Sequence, residues 1–588
     1  MTAALRASFQ PSGRSGFSGG RLIICGIFIA LVGGLMIYRL VSLQVLEPER
    51  FVEHGESQRI RTAALAAERG AIVDRNGVEL AVSTPRESIW ADPRLVDESQ
   101  AVATAQAIVN ITGGDVEQLT RRLLNEDAKF AWMSRQLDDE VAARVLALEL
   151  PGIYATEEQA RVTPSGSEVA RGILGRTDVD GLGLSGLEAQ YNEILTGEPG
   201  RIVVERGIAS AEGQQVTIPD GEYELIAPES GDSLVLTLDR TVQFEVENLL
   251  QQTVAEAGAT SGTAIVSRTA TGEILAMSTV ARNQDGEVVV SGENKAVTWI
   301  VEPGSISKPL AVAALIEEGL IDSNTTVEVT DELEIYDLVV TDTVNVDNPT
   351  MTTGDVLRNS SNVGVALLVD RISDDPFHEY LADFGLGSPT ELDFPGESAG
   401  ILHDVDDWSG ISRPQAAIGY GYAATPLQML RAYNVFANDG VLVEPHLVAG
   451  IRDGDGDLEI VSPREERRVI STETANELTS LLAGVVSEGG TGVLASVPGY
   501  QIAGKTGTAL IAQPTGGYRD SNGEVHLLTS FAGFLPAGDP ELSIIVMIEE
   551  PEGDASGGRV AAPLFGEISN FALQHFRIPP AESVLNGN

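Results

Sequence analysis

Lysine is scarce in this chain: its 588 residues include only four, at positions 129, 295, 308 and 505. Lys and Arg together number 38, against 86 Asp and Glu, and the formal net charge is −48. This balance argues against nucleic acid as a partner, since contacts with phosphates require clustered cationic side chains. We interpret the excess of acids as a solvated acidic surface. Each of the few lysines then becomes a candidate for a specific role.

Cysteine is scarcer still. The single cysteine, Cys25, excludes an intramolecular disulfide framework. It lies in the apolar run LIICGIFIALVGGLMIY, residues 22–38, which LVSLQVL extends past Arg39. A run of this length is enough to span a bilayer as a helix. The sequence therefore predicts a transmembrane helix with its juxtamembrane segment over residues 22–46.

A cleaved signal peptide and a lipoprotein anchor are the alternatives to a membrane span, and both are less well supported. A signal peptide needs small residues at its cleavage site, and the following RLVSLQVLEPERF lacks a clear site of this kind. A lipoprotein anchor at Cys25 is disfavoured by the bulky Ile24 before it. The first 21 residues carry three arginines and no acid, which predicts a cytoplasmic tail. We therefore expect a single-pass protein of the cell membrane, with the chain from about residue 47 outside the cytoplasm.

Histidine is also sparse, and the six that occur are scattered singly along the chain. None has the spacing of a metal-binding pattern such as H-E-x-x-H. The sequence therefore predicts no metal site, and it contains no signal for a cofactor.

Beyond the apolar run, the pattern of apolar residues predicts two regions. The first contains a hairpin in RGAIVDRNGVELAVS, helices in SQAVATAQAIVNI and DEVAARVLALEL, and a strand in SLVLTLD. The second begins with a long helix, TVQFEVENLLQQTVAEAG, which Gly258 is expected to end, and a hairpin made of GTAIVSR and GEILAMST. A helical region with loops follows over about 296–490, and then the strands KTGTALI, TSFAGFLP and ELSIIVMIEEP and a helix from Leu564. Strands at both ends of a helical middle predict an α+β domain over about 257–577 that closes on itself.

Two short patterns match catalytic motifs but lack the structural context that those motifs need. GESAG, residues 396–400, matches the G-x-S-x-G elbow of α/β-hydrolases, which requires a strand before the serine and a helix after it. Pro395 precedes this pattern and no helical periodicity follows, so we predict a turn. GYQIAGKT, residues 499–506, matches a phosphate-binding loop, but Gly507 and a β-like stretch follow where a helix is needed. Neither pattern is predicted to be catalytic.

A third pattern, VEPGSISKPL, places Ser305 three residues before Lys308 at the start of an apolar run. If a helix begins there, the two Cβ atoms are about 5–6 Å apart on one face, and the amine can take the hydroxyl proton. The amine must then be neutral, so its pKa must fall from about 10.4 through burial or a second cation. Taken alone, the pattern is more typical of a capping serine followed by a solvated lysine.

Two further patterns favour the catalytic interpretation. SSN, residues 360–362, lies at a predicted turn into a helix, and KTGT, residues 505–508, lies on a predicted strand near the C-terminus. S-x-x-K, S-x-N and K-T-G in this order are typical of penicillin-binding proteins and class A β-lactamases. Two of the four lysines, Lys308 and Lys505, fall within this set.

The chain resembles the class B penicillin-binding proteins well beyond these motifs. The resemblance is carried by RGAIVDRNGVELA, GLSGLEAQYNEILTGEPGR, TGEILAM, VEPGSISKPL, SSNVG, GYGYAATPLQMLRAYNVFANDG, AGKTGTA and AAPLF. It implies an α+β protein with an elongated, mixed, non-catalytic pedestal (dimerisation-type) domain over 47–240 and a transpeptidase domain over 241–588. The transpeptidase domain is expected to have the penicillin-binding, serine β-lactamase-like fold, an antiparallel sheet with helices on its faces plus an all-helical part. Asn362 in SSNVG is more similar to the septal, FtsI-like branch than to the elongation branch.

The resemblance implies a serine D,D-transpeptidase of peptidoglycan synthesis that needs no cofactor. Ser305 is expected to attack the D-Ala–D-Ala carbonyl of a stem peptide and to be acylated by β-lactams, with Lys308 as its base. Lys505 is expected to lower the pKa of Lys308 and to attract the anionic end of the peptide.

The remaining motif residues receive supporting roles from the same resemblance. Ser360 is expected to relay a proton to the leaving amine, and Asn362 to hold Lys308 and the substrate amide. The substrate carboxylate is expected on Thr506 and Thr508, with Gly507 allowing close approach of the strand. The backbone N–H groups of Ser305 and Thr508 are expected to form the oxyanion hole.

The expected partners are D-Ala–D-Ala donors, amine acceptors, β-lactams, the lipid bilayer and, for a septal enzyme, a SEDS-family glycosyltransferase such as FtsW with other divisome proteins. An elongation-type transpeptidase is an alternative. A serine β-lactamase shares the motifs, but it needs a water-activating carboxylate and has no use for an anchored pedestal. A carboxypeptidase with an anchored pedestal is uncommon, and a β-lactam sensor usually has a larger cytoplasmic portion than about 21 residues.

Overall fold

The computed structural model of the protein describes residues 19–42, 60–125, 127–164, 169–205, 223–336, 338–342, 349–461, 466–514 and 516–580. Most of the predicted cytoplasmic tail, and the last part of the predicted 22–46 segment, lie outside these residues. The chain divides into two compact units, one of residues 1–65 with 199–228 and one of residues 66–198 with 229–588.

The strands are β1 (Ile60–Leu65), β2 (Ile72–Val73), β3 (Glu79–Ala91), β4 (Ala131–Leu137), β5 (Ile153–Val162), β6 (Arg176–Thr177), β7 (Gly183–Ser185), β8 (Gly200–Glu205), β9 (Tyr223–Ile226), β10 (Ser233–Leu236), β11 (Ser261–Arg268), β12 (Ile274–Arg282), β13 (Val288–Val290), β14 (Thr326–Glu328), β15 (Glu332–Ile335), β16 (Leu338–Thr341), β17 (Thr350–Thr352), β18 (Val441–Leu442), β19 (Val448–Arg452), β20 (Leu458–Ile460), β21 (Arg467–Arg468), β22 (Ala503–Leu510), β23 (Leu527–Leu535) and β24 (Leu542–Glu549). The α-helices are α1 (Gly19–Val41), α2 (Ala101–Thr112), α3 (Val116–Leu123), α4 (Asp139–Leu146), α5 (Arg171–Leu174), α6 (Gly186–Gln190), α7 (Asn192–Thr196), α8 (Arg240–Glu256), α9 (Lys295–Thr298), α10 (Lys308–Glu317), α11 (Thr353–Arg358), α12 (Asn362–Val369), α13 (Asp374–Asp383), α14 (Ser412–Ile418), α15 (Pro426–Ala437), α16 (Thr472–Val486) and α17 (Ala562–His575).

The first unit contains the apolar helix and a small sheet. Helix α1 is long and apolar enough to cross a membrane, as the sequence predicts. Its large apolar side chains are between 38% and 70% exposed, so the helix offers an apolar surface all round. Strands β1, β8 and β9 pair antiparallel, with β8 in the centre. The helix is consistent with a single-pass membrane protein.

The second unit begins with a seven-stranded sheet, which we call the pedestal sheet. Its order is β20-β19-β10-β2-β3-β4, and β5 pairs with β3. The predicted hairpin is confirmed as β2 and β3, whose turn forms because the buried Asp74 carboxylate accepts from the N–H groups of Asn76 and Val78. The predicted strand in SLVLTLD is β10, which pairs with β2 on one side and with β19 on the other. The pedestal sheet thus takes strands from both sides of residue 240.

The two helices predicted before residue 160 are confirmed as α2 and α4. Helix α4 ends at Leu146, earlier than the apolar pattern, since Glu149 has a φ of +50° and Pro151 follows. These helices cover the pedestal sheet through a small core to which Ile89, Ala105, Ile108, Leu119, Met133 and Val145 contribute.

Two buried arginines share one carboxylate beside the pedestal sheet. Arg69 Nε lies 2.7 Å from Glu188 Oε2, and Arg161 Nε lies 2.6 Å from Glu188 Oε1. The three side chains are 7%, 9% and 2% exposed for Arg69, Arg161 and Glu188. The carboxylate thereby joins β5 and α6 to the segment that leads into β2.

The catalytic-type region is built on a six-stranded antiparallel sheet of order β13-β12-β11-β24-β23-β22. Every strand predicted at the two ends of this region is present, and β11 pairs with β24 along its whole length. The predicted closure of an α+β domain is therefore confirmed. Helix α8, which Gly258 ends as predicted, packs with α17 on one face through Val242, Val246, Leu250, Phe565 and Ile568.

The middle of this region, about 296–490, is helical as predicted, but it also contains short two-stranded ladders. These are β14 with β17, β15 with β16, and β18 with β21. The sequence pattern missed them because strands of two to four residues are too short to show alternation. Helix α15 is buried along its entire length, and α10 is buried from Lys308 to Leu315. The burial of α10 carries Lys308 into the interior.

Candidate active site

Three separate segments converge on one cleft. Ser305 lies on a 3₁₀ turn, Gly304–Ser307, that runs into α10. Ser360 and Ser361 lie between α11 and α12, and Asn362 is the first residue of α12. KTGT lies on β22, the edge strand of the six-stranded sheet. The cleft has a volume of about 660 Å³. Five of the predicted site residues line it: Ser305, Ser360, Asn362, Thr506 and Thr508. Lys308, Lys505 and Gly507 are buried in the protein.

The turn that carries Ser305 is held tightly against β22. Gly304 has a φ of +60°, and a Cβ there would lie 2.8 Å from the Cβ of Ala509. On its other side, a Cβ at Gly419 would lie 2.0 Å from the carbonyl oxygen of Gly304. These two contacts require glycine. They fix the backbone that presents Ser305, which is half-buried at the floor of the cleft.

Lys308 is completely buried and faces the SSN segment. Its Nζ donates to the carbonyl oxygen of Ser360 at 2.5 Å and to Asn362 Oδ1 at 2.7 Å, and it lies 3.3 Å from Ser360 Oγ. Burial lowers the pKa of Lys308 to about 7, while the nearby charge of Asp342 opposes this shift. The amine can therefore be neutral at physiological pH, which is what a general base for a serine requires. In the described part of the chain, Lys308 Nζ makes no hydrogen bond to Ser305 Oγ.

The SSN segment is a tight turn into α12, as the sequence predicts. Ser360 has a φ of +59°, a conformation that costs a non-glycine residue about 1–2 kcal/mol. Ser361 caps the helix, because its Oγ accepts from the N–H of Gly364. This turn points both the carbonyl and the hydroxyl of Ser360 at Lys308, and the first helical residue, Asn362, completes the contact.

On β22, the side chains of KTGT divide between the interior and the cleft. Lys505 is fully buried, and its Nζ donates to the carbonyl oxygen of Thr506 at 3.0 Å. Its pKa is lowered well below the usual value, first by burial and then by the like charge of Lys308. The main cause of the low pKa of Lys308 is burial. The family resemblance implies that the charge of Lys505 lowers this pKa. Thr506 Oγ1 donates to Thr491 Oγ1 at 2.8 Å, and Thr508 is exposed at the cleft.

Gly507 is surrounded by protein on its free side. A Cβ there would lie 2.2 Å from Ser530 Oγ and 3.0 Å from Ile306 Cγ2. The glycine therefore lets β22 pack against the serine turn and against β23. This role differs from the close approach to a ligand that the family resemblance implies.

The two rejected motifs lie where their surroundings exclude the chemistry of the motif. GESAG, residues 396–400, forms a turn with φ of +80° and +70° at its two glycines, and neither a strand nor an α-helix flanks it. GYQIAGKT, residues 499–506, runs into β22, so no helix follows it. Both predictions are confirmed.

Sequence reasoning missed several cleft residues. Thr491, Tyr420, Ser556 and Arg559 line the cleft, and Arg559 forms an ion pair there with Asp554. Tyr420 lies within GYGYAATP, whose spaced aromatics were a usable signal. Thr491 and Ser556 lie in glycine-rich loops and Arg559 in the π-helical turn Gly557–Ala561, and their placement depends on distant parts of the chain: the N–H of Gly557, for example, donates to Thr508 Oγ1.

Comparison with known proteins gives a consistent result. Residues 262–570 match the family described as penicillin binding protein transpeptidase domain, and residues 64–236 match the penicillin-binding protein dimerisation domain. The chain is 31% identical to peptidoglycan D,D-transpeptidase FtsI of Escherichia coli, over 95% of this chain and 92% of that protein. It is 34% identical to penicillin-binding protein PbpB of Mycolicibacterium smegmatis, over 96% of this chain and 90% of that protein. Its fold is similar to the crystal structure of penicillin-binding protein 3 from Mycobacterium tuberculosis complexed with aztreonam, with a TM-score of 0.67 and 28% sequence identity. The match covers 89% of this chain and 99% of that chain.

Proposed function

The chain belongs to the class B penicillin-binding proteins, and from this premise we propose that it cross-links the stem peptides of peptidoglycan through an acyl-enzyme at Ser305. The observation that carries the proposal is the buried amine of Lys308, which faces Ser360 and Asn362 beside a cleft lined by Ser305. Such an amine, neutral near pH 7, is a base suited to activate a serine.

In the acylation step, Ser305 Oγ attacks the carbonyl carbon of the penultimate D-Ala, and Lys308 Nζ takes the hydroxyl proton. The two groups come into hydrogen-bonding distance when substrate binds, as is common for catalytic pairs. The backbone N–H groups of Ser305 and Thr508 bind the oxygen that becomes negative, a contribution of about 3–4 kcal/mol per donor. The C–N bond then breaks, and the terminal D-Ala leaves as an amine that receives its proton through Ser360 from Lys308.

The substrate carboxylate is bound by the hydroxyls of Thr506 and Thr508, in the middle of β22. Thr508 is exposed at the cleft, and the Thr506 hydroxyl, which donates to Thr491 Oγ1 in the free protein, turns to donate to the carboxylate. Lys505 is buried beside them with its amine on the carbonyl of Thr506, so it supports this part of the strand from inside. When an anionic peptide binds, its carboxylate favours the protonated form of Lys505 and so offsets the cost of burying that charge.

In the second step, the amine of a neighbouring stem peptide attacks the ester carbonyl. The C–O bond to Ser305 breaks, the new amide is the cross-link, and a proton from the amine returns to Ser305 Oγ through Lys308. β-Lactams react by the first step alone, because the amine that would leave stays attached to the ring-opened acyl group.

Hydrolysis of the acyl-enzyme is disfavoured by the state of the carboxylates near the cleft. Asp554 pairs with Arg559, Glu302 accepts from the N–H of Gly421 and from Tyr518 Oη, and Asp342 accepts from three donors next to Asn362. Among the residues described, Glu302 and Asp342 are thus engaged by other donors, while the Asp554 side chain is 88% exposed in a surface ion pair and is not held in a position that would orient a water. A β-lactamase needs a carboxylate free to activate water. We therefore favour transfer to an amine over hydrolysis.

We further propose that α1 anchors the protein in the cell membrane with its N-terminus in the cytoplasm, and that the pedestal over 47–240 carries the transpeptidase domain over 241–588. The similarity to FtsI and the Asn at position 362 support a septal role, with a SEDS-family glycosyltransferase such as FtsW and other divisome proteins as partners. A fluorescent fusion expressed at native level is expected at the division site. Localisation along the side wall supports the elongation-type alternative instead.

The proposed chemistry is tested by labelling the full-length protein with a fluorescent penicillin and mapping the labelled peptide. The label is expected on Ser305 and should be lost in Ser305→Ala. Ser398→Ala is the matched control, since Ser398 belongs to the rejected GESAG turn and its loss should leave labelling unchanged. Persistent labelling of Ser305→Ala overturns the assignment, and release of the label within seconds supports a β-lactamase.

A further inference from the structure

Asp342 has no assigned role, yet it accepts hydrogen bonds from two residues of the SSN segment and from the residue that follows it. It follows the last residue of β16, and its Oδ1 accepts from the backbone N–H of Asn362 at 2.5 Å and of Val363 at 3.1 Å. Its Oδ2 accepts from Ser361 Oγ at 2.6 Å. A carboxylate on the free N–H groups of a helix is a favourable cap, so Asp342 fixes the first turn of α12.

The same strand end also orients the side chain of Asn362. Asn362 Nδ2 donates to the carbonyl oxygen of Thr341 at 2.9 Å, which leaves Oδ1 to accept from Lys308 Nζ at 2.7 Å. A neutral amine has two hydrogens and one lone pair. Its hydrogens are engaged by Asn362 Oδ1 and the carbonyl of Ser360, so the lone pair is left to accept a proton.

We propose that Asp342 is a positioning residue for the acylation of Ser305: it holds Asn362 so that the amide oxygen faces Lys308 and directs the lone pair of the amine toward the serine. The inference rests on the proposed function. The β15–β16 ladder lies outside all three motifs. The inference assigns to it the role of positioning the base relative to the nucleophile.

The charge of Asp342 has a separate, measurable effect. The charge that acts on the pKa of Lys308 is that of Asp342, which favours the ammonium form; the other buried amine, Lys505, has its own pKa lowered by burial and by Lys308. Asp342→Asn removes the negative charge and keeps an oxygen that can accept from the N–H groups of α12. The amine of Lys308 is then neutral at lower pH, so the acidic limb of the acylation profile moves toward lower pH.

The experiment measures the rate of acylation by a fluorescent penicillin from pH 5.5 to 9 for full-length wild type, Asp342→Asn, Asp342→Glu and Asp355→Asn in detergent. Asp355 is the matched control: it caps the neighbouring helix α11 through Thr352 and makes no contact with SSN. We expect Asp342→Asn to lower the plateau rate about tenfold or more, because the amide nitrogen that replaces Oδ2 cannot accept from Ser361 Oγ, so the turn that holds Asn362 against Lys308 shifts. We also expect the ratio of its rate at pH 6 to that at pH 8 to rise about threefold.

The controls separate positioning from folding. Asp342→Glu should restore the wild-type pH dependence while the plateau stays low, and Asp355→Asn should match wild type in both when rates are scaled to the amount of protein that can be labelled. An unchanged plateau rate in Asp342→Asn overturns the inference whatever its pH ratio, because the loss of charge alone can change that ratio; an equal effect in Asp355→Asn overturns it as well. If wild type is not acylated at all, the proposed function fails together with the inference; normal wild-type acylation with an unaltered Asp342→Asn overturns the inference alone.

Discussion

The amine of Lys308 donates a hydrogen bond of 2.7 Å to the side-chain oxygen of Asn362, a residue 54 positions further along the chain. This bond joins two motifs that the sequence presents separately: its donor is completely buried, and its acceptor residue lines the cleft. The amine that we propose as the base is thus held by the SSN segment, and the proposal assigns its remaining lone pair to Ser305. Several consequences of this arrangement can be measured.

The rate of acylation should follow the ionisation of Lys308. Because burial lowers the pKa of this amine to about 7, the rate should rise through neutral pH as the amine loses its proton. Lys308→Arg keeps a charge that cannot be removed at these pH values, and it should lower the rate about 10³-fold. A time course of penicillin labelling from pH 5.5 to 9 measures both effects. A flat profile, or a rate for Lys308→Arg within tenfold of wild type, would contradict the assignment of the base.

The buried lysine should also make stability depend on pH. The pKa of Lys308 is about 7 in the folded state and about 10.4 when unfolded, so the unfolded chain binds the extra proton between these values. Stability should therefore rise with pH from about 7 to 10, by at most about 4–5 kcal/mol for this group. Urea unfolding of Lys308→Met at pH 7 and 9.5 should show a smaller difference than wild type. Lys129→Met, which removes an exposed lysine, should keep the wild-type difference.

Gly507→Ala should destabilise the sheet edge by about 1–3 kcal/mol, because the added Cβ meets Ser530 Oγ at 2.2 Å. Ser530→Ala should be neutral or slightly stabilising, since Ser530 Oγ is buried and, among the described residues, has no hydrogen-bond partner. The double variant should recover at least half of the loss, because the closest contact is removed, but not all of it, because the contact with Ile306 Cγ2 at 3.0 Å remains. Thermal unfolding of the four proteins measures this coupling. Strictly additive effects would show that the contact is not the cause.

Glu188→Gln should be among the more damaging substitutions in the pedestal. It leaves the buried guanidinium groups of Arg69 and Arg161 without their shared countercharge, at a cost of about 3 kcal/mol or more. Glu224→Gln is the control, because its pair with Arg201 is about half exposed and should contribute less than about 1 kcal/mol. Urea unfolding measures the difference. Equal losses in the two variants would argue that Glu188 is not a buried countercharge.

The sequence was sufficient for the parts of the site that depend on local spacing. The local sequence alone predicts the turn of Ser305 into α10, the turn of SSN into α12 and the strand of KTGT. The family resemblance indicates that these three segments form one site. The glycine-dependent contacts required the structure. Gly507 and Ser530, for instance, are brought together by strand pairing, which no local pattern reveals.

Asp342 illustrates the other limit of sequence reasoning. It is one of 86 acids in a chain whose acidic side chains are mostly surface groups, and nothing in its neighbours distinguishes it. Its position next to Asn362 results from the short β15–β16 ladder, which is too brief to leave an alternating signal. Lysine carried more information here because it is rare.

The pairing of β10 with β19 bears on how the protein is made. Ser233 is aligned with Arg452, so the pedestal sheet contains a strand that leaves the ribosome long after its neighbours. Until then β10 has an unpaired edge, and a chain cut after residue 240 would keep that edge, which favours aggregation. The C-terminal region therefore supplies the strands that complete the pedestal sheet. A nascent chain that stalls before Arg452 leaves both the pedestal sheet and the transpeptidase domain incomplete.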